Sequence, residues 1–138
     1  MTTPSLSPEL FWLTLTALMT AAMWVPYIAR LIIQLGPVQA FTDRFGDTVL
    51  SAHWAQRAKR AHYNAVENLV VFATLVLIVN FSGFGNSTSA LACQIYFYAR
   101  AAHYVLYTLG VPFLRTLSFI VGVACQFTLG GILLGYIH

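Results

Sequence analysis

Two short runs hold the side chains with which this chain could do chemistry inside its apolar segments. In Arg60-Ala61-His62-Tyr63-Asn64-Ala65-Val66-Glu67, the residues Arg60, Asn64 and Glu67 fall at i, i+4 and i+7 and share one helix face. In the second run Arg100, His103 and Tyr107 fall at i, i+3 and i+7, again one face, with Tyr104 beside them. Guanidinium groups hold carboxylates or phosphates through charge-assisted hydrogen bonds, a carboxylate holds an ammonium, and amide, imidazole and phenol groups fix orientation. The pattern therefore suits recognition of a small charged molecule.

The elements that must carry these runs follow from composition. Of 138 residues 59% are hydrophobic and 8% charged, against about 25% charged in a soluble domain, and mean hydropathy is +0.73. A polar-surfaced globule and a disordered tail are excluded. So is a nucleic-acid binder, because a net charge of +3 cannot form a phosphate-tracking stripe despite a pI near 9.1. Two cysteines give no disulfide framework or zinc spacing, and no metal site is expected, since His62 and His103 lack partners at ligand spacing. Cys93 and Cys125 read as small apolar packing residues.

The expectation is an all-α, integral membrane four-helix bundle, a single domain over 1–138 with spans at about 10–35, 58–81, 87–109 and 112–136. Ser7-Pro8-Glu9 reads as an N-cap, a proline at N1 and an acid in the first turn; Gly110 and Pro112 end the third span and start the fourth. Pro26 should kink the first span. The apolar run near the start is too long, and lacks the basic flank, for a cleavable signal. Arg44, Arg57, Lys59, Arg60 and Arg115 flank two connections on one side, so both termini are expected to be non-cytoplasmic and the polar layer to lie in the cytoplasmic half. Trp12 and Trp54 fall at interfacial positions and Trp24 reads as a packing residue, while Gly131 and Gly135 form a small-xxx-small pair suited to close helix contact.

The second and third spans run antiparallel, so depths compare directly. Arg60 and Tyr107 come out about 3 Å inside the boundary, Asn64 and His103 about 9 Å, Glu67 and Arg100 about 13 Å. A lone charge at mid-span costs roughly 3 kcal/mol, so Glu67 and Arg100 are expected to pair. Arg30 and Arg115 approach the same half, which sets four arginines against one carboxylate and calls for an anionic ligand. Residue by residue, blander readings stay open: Glu67–Arg100 as a pair that fixes register, Arg30 and Arg60 as snorkelling side chains, and His103 as packing.

At these residues the sequence resembles the MAPEG family, the membrane-associated proteins in eicosanoid and glutathione metabolism. The run from Arg60 to Glu67 looks like the family's second-helix signature, in which Arg-Ala-x-x-Asn-x-x-Glu binds glutathione. The run Ala99-Arg100-Ala101-Ala102-His103-Tyr104-Val105-Leu106-Tyr107, followed by Pro112 and Arg115, is similar to the third-to-fourth helix signature. The resemblance covers nearly the whole chain. It implies a homotrimer with glutathione as cosubstrate, held between subunits by Arg60, Asn64, Glu67, His103 and Tyr107, with Arg30 contributing and Arg100 at the depth of Glu67. Arg115 matches the arginine that stabilises the thiolate. Tyr63, Thr116 and Phe119 depart from the prostaglandin-synthase branch, which points to a general microsomal-type glutathione transferase or peroxidase acting on lipophilic molecules.

The alternative is a non-catalytic structural or accessory subunit of a larger membrane complex, docking through apolar outer faces (Phe72, Leu75, Val76, Val79 and Phe119, Val123, Phe127). A cation-exporting multidrug-type protein is disfavoured, because Glu67 has Arg100 at its own depth.

Overall fold

The computed structural model describes residues 5–44 and 46–138, and among them every regular element is helical. The order is α1 (Pro8–Ala22), α2 (Val25–Leu35), α3 (Pro37–Thr42), α4 (His53–Phe81), α5 (Ser87–Leu109) and α6 (Pro112–Leu133). Three helical stretches are long and apolar enough to cross a membrane: Pro8–Leu35, which joins α1 and α2, His53–Phe81 and Pro112–Leu133. The expected third span, α5, has the length, about 34 Å for 23 residues. Arg100, His103 and the tyrosines Tyr96, Tyr98, Tyr104 and Tyr107 are spread along it, so it lacks the continuous apolar stretch of the other three. It lies at the centre of the structure, packed on α6, α4 and α1.

Two features give detail to the expected four spans, the first of them the expected kink at Pro26. The first rod breaks at Met23 and Trp24. Pro26 supplies no N–H to the Ala22 carbonyl and its ring crowds that group, so the helix restarts as α2 with the proline in its first turn. Two cross-helix bonds brace the break: Tyr104 Oη donates to the Met23 carbonyl at 2.9 Å, and Tyr27 Oη bonds His62 Nδ1 at 2.8 Å. The second is in the connection from Gly36 to Arg57. There α3 occupies Pro37–Thr42, and α4 begins at His53, ahead of the expected start near Ala58.

The packing faces explain how α4, α5 and α6 come together. Ala55, Ala58, Ala61 and Ala65 are all buried and form a small-residue stripe along the first half of α4. Helix axes can approach closely along such a stripe. In the second half Phe72, Val76 and Val79 are fully buried, and the Phe72 ring stacks on Tyr96 of α5 at 3.7 Å and 9°. This corrects the expectation that Phe72, Val76 and Val79 face outward. The outward residues of α4 are Val70, Val71, Leu77, Ile78 and Phe81. Cys93 and Cys125 are buried in the same cluster as small apolar groups. Trp24 is 47% exposed rather than packed. Nor do Gly131 and Gly135 form a helix seam. Gly135, with φ +76°, follows the end of α6, and Ile137 folds back onto Gly131, where a Cβ would lie 2.7 Å from Ile137 Cδ1.

Both ends of α5 are closed by their own sequence. Asn86 and Ser89 form a reciprocal capping box at its start. At its end Gly110 takes the left-handed conformation, φ +79°, and the Tyr107 and Leu106 carbonyls accept from Gly110 N and Val111 N. Arg57 of α4 adds a third closure: its Nε donates to the Thr108 carbonyl at 2.9 Å, placing a cation on the negative end of α5. A side chain at 110 would crowd that guanidinium, since a Cβ would come within 3.2 Å of Arg57 Nε.

The stripe makes a direct prediction. Ala58→Leu, which forces a large side chain into a fully buried position packed with Tyr27 and Leu50, should destabilise the protein by about 1–3 kcal/mol. Val70→Leu on the exposed face of the same helix should leave stability unchanged, as read by thermal unfolding in detergent.

Candidate functional site

The alanine stripe brings the two polar faces into contact through one central hydrogen bond. Arg100 is 2% exposed, and its Nη2 donates to Asn64 Oδ1 at 2.7 Å. Its Nε is buried with no hydrogen-bond partner, and Gly122 of α6 lies against its stem. Sequence depth matching paired Arg100 with Glu67. In the structure the partner is Asn64, one turn nearer the start of α4, and Glu67 is exposed. The reason is angular: Asn64 lies on the flank of α4 beside the buried Ala61 and Ala65, while Glu67 is carried round to the outer face.

A second cluster joins the end of α5 to the first turn of α6. His103, 4% exposed, makes a 3.0 Å bond through Nδ1 to the Arg115 carbonyl, which also accepts from Ser118 Oγ at 2.8 Å. A carbonyl can only accept, so His103 Nδ1 carries the proton; in the neutral imidazole Nε2 is then an acceptor. That Nε2 is buried and unpartnered. The Arg115 guanidinium sits 4.4 Å over the ring of Tyr107, which in turn packs edge-on to His103 at 5.6 Å. Pro112 at the first helical position places Arg115 where the positive end of the α6 dipole adds to its own charge.

The remaining sequence-selected residues lie apart from these clusters. Arg30, on α2 beyond the break, donates from Nη2 to Ser51 Oγ at 3.3 Å. The Tyr27–His62 bond one turn earlier holds α2 in register with α4. Arg60 is exposed and lines a cleft of about 300 Å³ with Asp47, Gln56, Lys59 and Tyr63. Arg100 and His103 are thus buried, Arg30, Asn64, Tyr107 and Arg115 half-buried, and Arg60 and Glu67 exposed.

Three contributors escaped the sequence reading. Gln126 of α6 is buried and donates to the Asn68 carbonyl of α4 at 3.2 Å. An amide inside an otherwise apolar span was the available signal. Ser118, one turn after Arg115, shares the carbonyl that orients His103. Arg57 was counted among the rim charges, and no local pattern announced that it would close α5.

The Asn64–Arg100 bond can be tested by chemical denaturation in detergent. Asn64→Leu leaves a buried guanidinium N–H without an acceptor and should cost about 1–3 kcal/mol. Asn64→Asp restores an acceptor of opposite charge and should recover most of that loss.

No curated protein matches the chain significantly. The model of the MAPEG family matches residues 10–135, a range that takes in the break in the first rod, the Asn64–Arg100 bond and the His103–Arg115 cluster, and the chain belongs to that family.

Proposed function

We propose that this protein is a microsomal-type glutathione transferase or peroxidase: a four-span bundle, with α5 as the additional crossing, that assembles as a homotrimer. One observation carries the reading. Glu67 is the central residue of α4, about 21 Å from either end, and it is exposed on a single chain. A carboxylate at that depth cannot face lipid without a penalty of a few kcal/mol. A second subunit and a cationic ligand group would remove the penalty together. The valines around it (Val66, Val70, Val71) are the apolar surroundings such a contact needs.

In this reading Glu67 receives the ammonium of glutathione, and Arg60, Arg30 and Arg100 receive its two carboxylates. Asn64, His103 and Tyr107 orient the peptide. Arg115 has no carboxylate partner among the described residues, so its charge is free to stabilise the thiolate of a thiol whose pKa is near 8.5. A transferase step forms a C–S bond to an electrophilic carbon, whose leaving group departs with its electron pair. In a peroxidase step the thiolate attacks the terminal oxygen of a hydroperoxide, the O–O bond breaks, and the alkoxide leaves and takes a proton from water to become the alcohol. The sulfenic acid formed condenses with a second glutathione to give the disulfide and water. The basic rim (Arg57, Lys59, Arg60) faces the cytoplasm and both termini lie on the other side.

Adding glutathione to the purified protein should raise absorbance near 240 nm as the thiolate forms. Arg115→Ala should abolish the rise while binding, read by calorimetry, persists. Glu67→Gln should weaken binding about tenfold or more. Absence of both the absorbance rise and a binding isotherm would overturn the assignment.

A further inference from the structure

At the end of the bundle remote from the arginines, the start of α1, the end of α4 and the start of α5 enclose a pocket of about 440 Å³. Its lining includes Ser7, Glu9, Asn80, Gly85, Asn86 and Ser87. Glu9 is 4% exposed and accepts a hydrogen bond from Ser89 Oγ, itself fully buried. Both carboxylate oxygens press on Gly85, where a Cβ would come 3.1 Å from Oε1 and 3.7 Å from Oε2. No lysine or arginine occurs at 1–29, 61–99 or 116–138, so nothing basic on α1, the second half of α4 or the first half of α5 can neutralise this carboxylate.

A buried carboxylate without a counter-ion among the described residues is costly, and the local dipoles do not cancel it. The starts of α1 and α5 each bring about +0.5 charge, the end of α4 about −0.5, which leaves roughly −0.5 with Glu9 ionised. One backbone donor of each start is also engaged: Ser7 Oγ accepts from Leu10 N and Asn86 Oδ1 from Ser89 N. The pocket's polar lining is the carboxylate, the Ser7 and Ser87 hydroxyls and the Asn80 and Asn86 amides, whose oxygens accept from Ser7 Oγ and Ser89 N and each keep a second lone pair. The pocket has no aromatic wall, so it lacks the cage that a quaternary ammonium favours. A primary ammonium, with three N–H donors on a compact charge, fits the carboxylate and the flanking amide and hydroxyl oxygens.

We infer that this pocket is a binding site for a primary ammonium group, borne by a phosphatidylethanolamine headgroup or by a soluble amine, with Glu9 as its counter-ion. The position suits a headgroup, since Pro8, Phe81 and Ser87 are helix-terminal residues and the rods that end here exceed the roughly 30 Å of hydrocarbon. The site is separate from the arginine face and independent of the proposed glutathione chemistry.

The test uses the delipidated full chain in detergent, titrated with phosphatidylethanolamine, phosphatidylcholine or phosphatidylglycerol and read by native mass spectrometry. A parallel arm measures thermal stabilisation by ethanolamine against choline. Phosphatidylethanolamine retained at about tenfold lower concentration than the other two lipids, with the preference lost in Glu9→Gln, supports a lipid ligand. Glu9→Gln keeps the acceptor for Ser89 and removes the charge. Stabilisation by ethanolamine but not choline, without lipid preference, supports a soluble amine. Should Glu9→Gln fold poorly, Gly85→Ala crowds the same carboxylate and must lower whichever preference the wild-type protein shows. Equal retention of all three lipids with no response to ethanolamine overturns the inference, as does a preference that survives loss of the charge.

Discussion

The structure is organised around one constraint, a guanidinium held almost wholly inside an apolar bundle without a carboxylate to neutralise it. Arg100 is 2% exposed, and the acceptor it finds is the neutral amide of Asn64. A neutral acceptor removes one unmet hydrogen bond but none of the charge. Beside Asn64, α4 presents the buried alanines Ala61 and Ala65, whose small side chains leave room for a 2.7 Å bond between side chains of two helices. Larger residues in the stripe would part the helices, and the cation would lose even that partner.

The rest of this half of the bundle can be understood as holding that crossing in place. The Phe72–Tyr96 stack pins α4 to α5 on one side of Arg100. Arg57 closes the end of α5 on the other, aided by Gly110, which keeps its side chain from colliding with the turn. The break at Met23 and Trp24 turns α2 so that Tyr27 meets His62, and this sets the height of Arg30 relative to Asn64. The Arg57 and Tyr27–His62 braces use polar groups that would be costly if left unmet, so for these two register and hydrogen-bond satisfaction are the same requirement.

Much of this was legible in the sequence, and the limits have physical causes. Capping residues are local, so Ser7, Gly110 and Pro112 marked helix ends well, and α5 spans the expected 87–109. Spacing of three and four residues put Arg100 and His103 on one buried face of α5, but the α4 set splits: Asn64 turns inward while Arg60 and Glu67 stay exposed. Depth along an axis says nothing about rotation around it, which is why Arg100 was assigned to Glu67 rather than to Asn64. The same missing angle put Phe72, Val76 and Val79 outside: in a span that is apolar on every side, hydrophobicity no longer separates core from lipid face, and the small residues of the stripe carry that information instead. Arg57 and Ile137 act through contacts set by the folded chain, which no local spacing encodes.

Burial across the site follows a gradient that separates what one chain settles by itself from what it leaves open. His103 is locked by the Arg115 carbonyl, Ser118 shares that carbonyl, and the Arg115 guanidinium rests on the Tyr107 ring. None of these contacts neutralises Arg115, since a π face and a histidine bonded to the backbone leave the cation charged. Preorganised charge of this kind acts on a developing anion without a reorganisation cost when the anion forms. Arg60 and Glu67 lie at the other extreme, exposed and of opposite sign on one helix face. On the proposed reading, the energy of seating a zwitterionic peptide and a neighbouring subunit comes from this open pair. The interior pair of Arg115 and His103 is already in position when the ligand arrives. Binding and activation are then assigned to different helices: α4 presents the groups that capture, and the junction of α5 and α6 holds those that act on the sulfur.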